Sequence, residues 1–260
     1  MGKTYFVTGV NRGIGFEIVK QYLELDSTNV VIGTVRDPSK AIELQELSKK
    51  HKGQLHIIQL EISDPNSIKS IDDQIESIVG ETGIDVYIAN AGYSGKGSSK
   101  AILELERQIW INHYIVNVLG PIEVLKQIKP YLLLNPTRQI ILVSSIAGSL
   151  SQNNSISSGP YGQNKASLNH VSITLSHELS PDGFTVVAIH PGLVDTDSCK
   201  AILDEFVEYK PELKQVLETL PLDHISPETS VKNLIKNVFE PLKKEQNGKF
   251  LNYDGTELPW

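Results

Sequence analysis

Apolar residues along this chain fall into two rhythms that alternate from one end to the other. Short runs such as Val30-Val31-Ile32 and Ile140-Ile141-Leu142-Val143 are almost continuously hydrophobic, the pattern of strands buried on both faces of a sheet. Runs of this kind predict strands over residues 4–8, 29–35, 54–61, 84–89, 139–145, 184–190 and 249–251. Between them the apolar period lengthens to that of a helix, over 14–25, 40–50, 65–79, 103–134, 161–179 and 227–239. Asp37-Pro38 and Asp64-Pro65 each place an acidic cap before a proline in a first helical turn. Gly120-Pro121 interrupts the longest helical stretch and predicts a kink or break there. Strands alternating with helices imply an α/β fold, a doubly wound parallel sheet of about seven strands with helices on both faces. Residues 197–225 are weakly patterned, amphipathic over 201–209 and broken by Pro211 and Pro221. They are expected to cover a substrate site rather than to fold separately, so residues 1–260 read as a single domain.

Composition narrows the chemistry. Twenty-four Lys and Arg against 31 Asp and Glu leave a net charge of −7, which argues against nucleic acid as a partner. A single cysteine, Cys199, excludes an intrachain disulfide and a Cys-rich metal cluster and fits a reducing compartment. No charged leader precedes an apolar run at Met1, and no apolar run reaches the roughly 18–20 residues of a membrane span. A cytoplasmic protein without membrane contact is the expectation, with Asn153-Asn154-Ser155 an ordinary surface loop. The histidines show no metal-ligand spacing, and no metal is expected.

The end of the first strand reads Thr8-Gly9-Val10-Asn11-Arg12-Gly13-Ile14-Gly15, and a helix begins inside it. Glycines there let the backbone turn sharply and approach a phosphate, whose charge meets free amides at the positive end of the helix. Arg36 closes the second strand 21 residues beyond Gly15, where a dinucleotide site reads the ribose. A guanidinium at that point offers a 2′-phosphate a planar, doubly hydrogen-bonded fork. With Arg12 as a second positive charge it favours NADP(H), while the neighbouring Asp37 leaves NAD open.

Tyr161-Gly162-Gln163-Asn164-Lys165, preceded by Ser144-Ser145, is the strongest chemical signal. Tyr161 and Lys165 are four apart on one helix, so an ammonium can sit near a phenol and lower its pKa. Such a phenol can exchange a proton with a carbonyl or alcohol oxygen that a serine hydroxyl holds in place. Strand alternation lets only one of Ser144 and Ser145 face that site.

These motifs, in this order, resemble the short-chain dehydrogenase/reductase family along nearly the whole chain. T-G-x-x-x-G-x-G is met by Thr8 to Gly15, N-N-A-G by Ala89-Asn90-Ala91-Gly92, S-x-x-G by Ser145 to Gly148, and Y-x-x-x-K by Tyr161 and Lys165. The resemblance implies a Rossmann-type fold and four catalytic residues: Asn117, Ser145, Tyr161 and Lys165. In it Asn117, rather than the nearby Asn112, anchors a water that relays protons through Lys165. It implies a cofactor site made by Gly9, Asn11, Arg12, Gly13, Ile14, Gly15, Arg36, Glu61, Ile62, Asn90, Ala91, Gly92, Tyr161, Lys165, Pro191, Gly192, Val194 and Thr196. Asn164 departs from the serine common before the lysine, and Glu61 from an aspartate common beside the adenine. The Arg36 context, the Tyr161 to Asn169 run and the final residues resemble fungal NADPH-dependent carbonyl reductases, some acting on aromatic ketones or diketones. The expected activity is therefore reduction of a small-molecule ketone or aldehyde. The same residues would serve an NAD-dependent alcohol or polyol dehydrogenase, and the phosphate loop alone would serve a nonenzymatic NADP sensor. The resemblance also implies a homodimer or homotetramer built on the helices of 103–134 and 161–179, with Ser167, His170, Val171 and Thr174 facing outward.

Overall fold

The computed structural model describes residues 2–152, 159–209 and 224–260. Its strands are β1 (Thr4–Thr8), β2 (Val30–Val35), β3 (Leu55–Gln59), β4 (Val86–Ala89), β5 (Gln139–Val143), β6 (Thr185–His190) and β7 (Phe250–Asn252). They form one sheet, β3-β2-β1-β4-β5-β6-β7, and every neighbouring pair is parallel. The helices are α1 (Gly13–Leu25), α2 (Ile42–Lys50), α3 (Pro65–Lys69), α4 (Asp72–Val79), α5 (Arg107–Tyr114), α6 (Gly120–Leu133), α7 (Gly159–Glu178), α8 (Asp197–Tyr209) and α9 (Pro227–Leu234). Pro211, Pro221 and Asn153-Asn154-Ser155, and with them most of the expected cover beyond 209, lie outside the described residues.

Successive strand residues point to opposite faces, and the core divides accordingly. Tyr5 and Val7 pack with Ile18 and Tyr22 of α1, Leu44 of α2 and Val231 of α9. Phe6, between them, packs with Ile75 of α4, Val124 and Ile128 of α6 and Leu168 of α7. Each such side chain, fully removed from water, contributes roughly 1.5–3 kcal/mol. Both faces are therefore covered, which is why the strands are hydrophobic without alternation.

Both Asp-Pro signals are caps. Asp64 accepts the Asn66 amide at the start of α3. Asp37 accepts the Ser39 amide but caps only the 3₁₀ turn Pro38–Lys40, ahead of α2. The expected break at Gly120 takes another form. The backbone of Gly120 is helical, and a π-helical turn, Ile115–Leu119, joins α5 to α6 just before it. Pro121 has no amide to offer the carbonyl four residues back, which loosens the regular ladder at Asn117. Gly120 is there for space: a Cβ would lie 2.6 Å from Cγ1 of Ile62.

From β1 the chain builds outward to β2 and β3 on one side, then crosses to β4 and continues to β7 on the other. Such a switch opens a crevice at the carboxyl ends of the central strands. The segments after β1, β2, β4, β5 and β6 all leave from that side, and they carry the residues singled out above.

Candidate active site

At the crevice the turn after β1 is braced by the residues after β4. Thr8 Oγ1 accepts the amides of Asn90 and Ala91 at 3.1 and 3.0 Å, and Asn90 Nδ2 donates to the Thr8 and Gly9 carbonyls, both at 2.9 Å. Gly9 has φ +71°, and a Cβ on it would lie 2.9 Å from Cα of Ala91. A Cβ on Gly15 would fall on the Gly9 carbonyl oxygen and 2.5 Å from Asn90 Nδ2. Helix α1 starts without a side-chain cap, so its first amides and the positive end of its dipole stand available to an anion. This uncapped cradle, open only because its glycines lack side chains, fits the pyrophosphate of a dinucleotide.

Around the cradle, charges are distributed unevenly. Arg12 pairs with Asp197 at 2.9 Å, both side chains largely exposed, which places its charge beside the start of α8. Arg36 is exposed, its carbonyl pinned by Gln59 Nε2 at 3.0 Å. Asp37 accepts the Ser39 hydroxyl at 2.6 Å and pairs with Lys40 at 3.3 Å. Those contacts, the Ser39 hydroxyl first, hold its carboxyl below the usual carboxylate range. The acid that left NAD open is thereby occupied with a turn. Glu61 likewise turns its carboxylate onto the Ser63 hydroxyl at 2.7 Å, while Ile62 is buried against Gly120.

The two serines after β5 separate cleanly. Ser144 is buried and donates to Asn169 Oδ1 at 2.6 Å, beneath α7. Ser145 accepts the Ala147 amide at 3.2 Å and lies near enough to the Tyr161 phenol for its hydroxyl to lower that phenol's pKa. Gly148 lets this turn lie flat on α7, where a Cβ would come within 2.6 Å of the Lys165 carbonyl carbon. That close approach is what brings Ser145 to Tyr161.

Burial raises the Tyr161 pKa, and the Ser145 hydroxyl opposes it. Lys165 is 5% exposed and donates to the Val143 carbonyl at 2.7 Å. Its ammonium lies 5.7 Å from the centre of the Tyr161 ring, and burial brings its pKa down to about 8. The phenol is therefore held above its ordinary value by burial, not below it as the neighbouring lysine was expected to hold it.

Asn117 sits on the π turn, buried. Its Oδ1 accepts the Tyr93 amide at 2.8 Å, and its Nδ2 donates to the Tyr93 carbonyl at 2.9 Å. Asn112 instead accepts from Gln108 at 2.8 Å within α5. One turn before Asn117, His113 accepts the Gly95 amide on Nε2 at 3.1 Å and meets the Tyr93 ring edge-on at 4.9 Å. Burial pushes its pKa down to about 4, against a smaller upward pull from Glu205. Nothing in the sequence singles out His113, Tyr93 or Glu205, which meet mainly backbone groups that no side-chain pattern reveals.

After β6, Ser230 donates to the Pro191 carbonyl at 2.6 Å. Gly192, with φ +87°, leaves room for Ile225, whose backbone bridges to Val194. Thr196 Oγ1 accepts the Cys199 amide at 3.2 Å, and its methyl would be 3.3 Å from a Cβ on Gly13. A Cβ on Gly92 would lie 3.6 Å from Asn117 Oδ1, Ile14 packs against the core, and Asn11 is exposed. Among the described residues no group of three acidic, His or Cys side chains could hold a metal ion.

Residues 3–205 match the family model for short chain dehydrogenase. An uncharacterized oxidoreductase of Saccharomyces cerevisiae is 43% identical over 257 residues, covering 98% of this chain and 96% of that protein. Another, of Schizosaccharomyces pombe, is 38% identical over 258 residues, covering 99% and 98%. Among solved structures, the carbonyl reductase Sniffer of D. melanogaster superposes with a TM-score of 0.85 at 27% identity, covering 100% of both chains. An NADPH-bound carbonyl reductase from chicken fatty liver superposes at 0.83 with 28% identity, covering 100% and 99%.

Proposed function

The chain belongs to the short-chain dehydrogenase/reductase family, and on that premise we propose that it reduces a ketone or aldehyde to an alcohol with NADPH. The observation that carries this reading is the meeting of the Ser145 and Tyr161 hydroxyls above β5, with the Lys165 ammonium beneath the same ring. Bound NADPH supplies the hydride; position and proton come from the protein. Ser145 holds the carbonyl oxygen, and Tyr161 gives it the phenolic proton. Its raised pKa keeps the phenol in the protonated form that reduction requires. Lys165 steadies the phenolate left behind and holds the nicotinamide ribose, and Asn117 serves the path by which the proton is replaced.

Cofactor choice rests on Arg36. It is exposed at the ribose-reading position while Asp37 is engaged elsewhere, a pairing that suits a 2′-phosphate and disfavours an acid-read NAD ribose. The NADPH-bound chicken relative supports the same choice. An aromatic ketone or diketone is the first substrate class to try. Titration with NADPH and NADH by nicotinamide fluorescence, followed by a panel of aromatic ketones, diketones and aldehydes, tests the reading. NADPH binding with turnover is expected; binding without turnover across the panel would favour a sensor, and a preference for NAD with alcohols would favour a dehydrogenase.

On the same premise we propose a homodimer or homotetramer. An open groove of about 380 Å³ lined by Trp110, Ile111, Tyr114, Ile115, Leu119 and Gln163 supports a second copy seated on α5 and the start of α7. Tyr114→Glu should convert the assembly to a monomer by sedimentation velocity; an unchanged assembly would move the interface elsewhere.

A further inference from the structure

We propose that Glu205, on α8, is a positioning residue for the substrate: it fastens that helix to the turn at 97–99 and so stretches it across the mouth of the site. The proposal rests on the carbonyl-reductase reading above and adds to it a residue that none of the motifs contains.

Helix α8 touches every part of the site in turn. At its start Asp197 pairs with Arg12 of the glycine loop at 2.9 Å. Two residues on, Cys199 is close enough to Tyr161 for its charge to raise the phenol pKa. At its far end the Glu205 carboxylate accepts the Gly97 amide on one oxygen, and on the other the Ser99 amide at 3.0 Å and the Ser98 hydroxyl at 3.5 Å. One turn later the Lys100 ammonium stands 5.5 Å from the centre of the Tyr209 ring.

Phe206 is the one buried residue of the helix among the described residues, so its exposed ends depend on side-chain contacts. The two ends differ in strength. Arg12 and Asp197 have side chains 59% and 73% exposed, and an ion pair so open to water adds little. Ser98 and Ser99 are 1% and 0% exposed, so the donors meeting Glu205 are charge-assisted and would lose their partner in a buried place. The turn they belong to continues into the segment that Asn117 and His113 hold by the Tyr93 and Gly95 backbones. Glu205 thus ties the helix above Tyr161 to the segment seated on Asn117, whereas Asp197 ties it to the cofactor loop.

Glu205→Ala and Glu205→Gln in the full chain test the assignment. In Glu205→Ala, KM for a carbonyl substrate should rise about tenfold, the loss expected when a buried donor set is orphaned. The NADPH Kd should stay unchanged and kcat should change far less than KM. Glu205→Gln should fall between, because its amide oxygen can replace one carboxylate oxygen while its NH₂ opposes the other donors. An unchanged KM, or an equal loss of kcat and NADPH affinity, would overturn the assignment. Amide exchange at Gly97 and Ser99, read without substrate, should be slow in the parent and fast in Glu205→Ala. Equal exchange in both would overturn the fastening even if no tested carbonyl were reduced, while fast exchange in the variant beside an inactive parent would fault the activity reading alone.

Discussion

A phenol that burial makes a weaker acid keeps its proton at neutral pH until an acceptor oxygen is held beside it, and Tyr161 is such a phenol. Tyr161→Phe should lower turnover by about 10²–10⁴, with NADPH affinity by fluorescence titration changing far less than turnover. Arg36→Ala should weaken NADPH by about tenfold or more, the scale of a doubly bonded guanidinium contact, and leave NADH untouched; equal loss of both would remove Arg36 as the phosphate reader. At this scale the side-chain types were legible and their directions were not. Ser144 and Ser145 are equivalent on paper, and they part only because one lies under α7 with Asn169 and the other reaches Tyr161. Nor could spacing show that Arg12 pairs with Asp197, 185 residues away.

Elements were legible wherever a repeating apolar period reported them. The strands appeared where expected but shorter, since β2 begins at Val30 and β3 covers Leu55–Gln59; their polar ends carry no period of their own. The helical stretch over 103–134 concealed its most useful feature. A π turn adds a residue to the helix without disturbing the hydrophobic stripe on either side, so nothing in the pattern of Val116-Asn117-Val118 announces it. The glycine loop was legible because its constraint is local. Gly15→Ala would drive a methyl onto the Gly9 carbonyl oxygen, and the fold should lose about 1–3 kcal/mol in urea denaturation together with measurable NADPH binding. Full binding by that variant would mean the cradle is not where the phosphates sit.

The molecule as a whole carries an acid sensitivity that composition hides. His113 and His190 each have a pKa brought down to about 4 by burial, against 6.5 when free. The unfolded chain therefore takes up protons that the folded chain refuses between those values. Stability contributed by the neutral imidazoles is complete above pH 6.5 and falls as the pH drops towards 4, by about 1.4 kcal/mol per pH unit for each histidine. Urea midpoints measured from pH 7 to 4.5 should follow that slope, and His190→Gln should flatten it; an unaltered slope would place the effect elsewhere. Lys165 acts in the same sense at higher pH, its neutral form gaining stability as pH rises from about 8 to 10.5. The sheet order has a further consequence, for the birth of the protein. Strand β1 leaves the ribosome first, yet one of its two neighbours is β4, so Tyr5 must wait for Val86 before that edge is closed. For the time it takes to synthesise that intervening stretch, a hydrophobic central strand has an open side, and newly made chains should lean on chaperones more than the finished enzyme's stability would suggest.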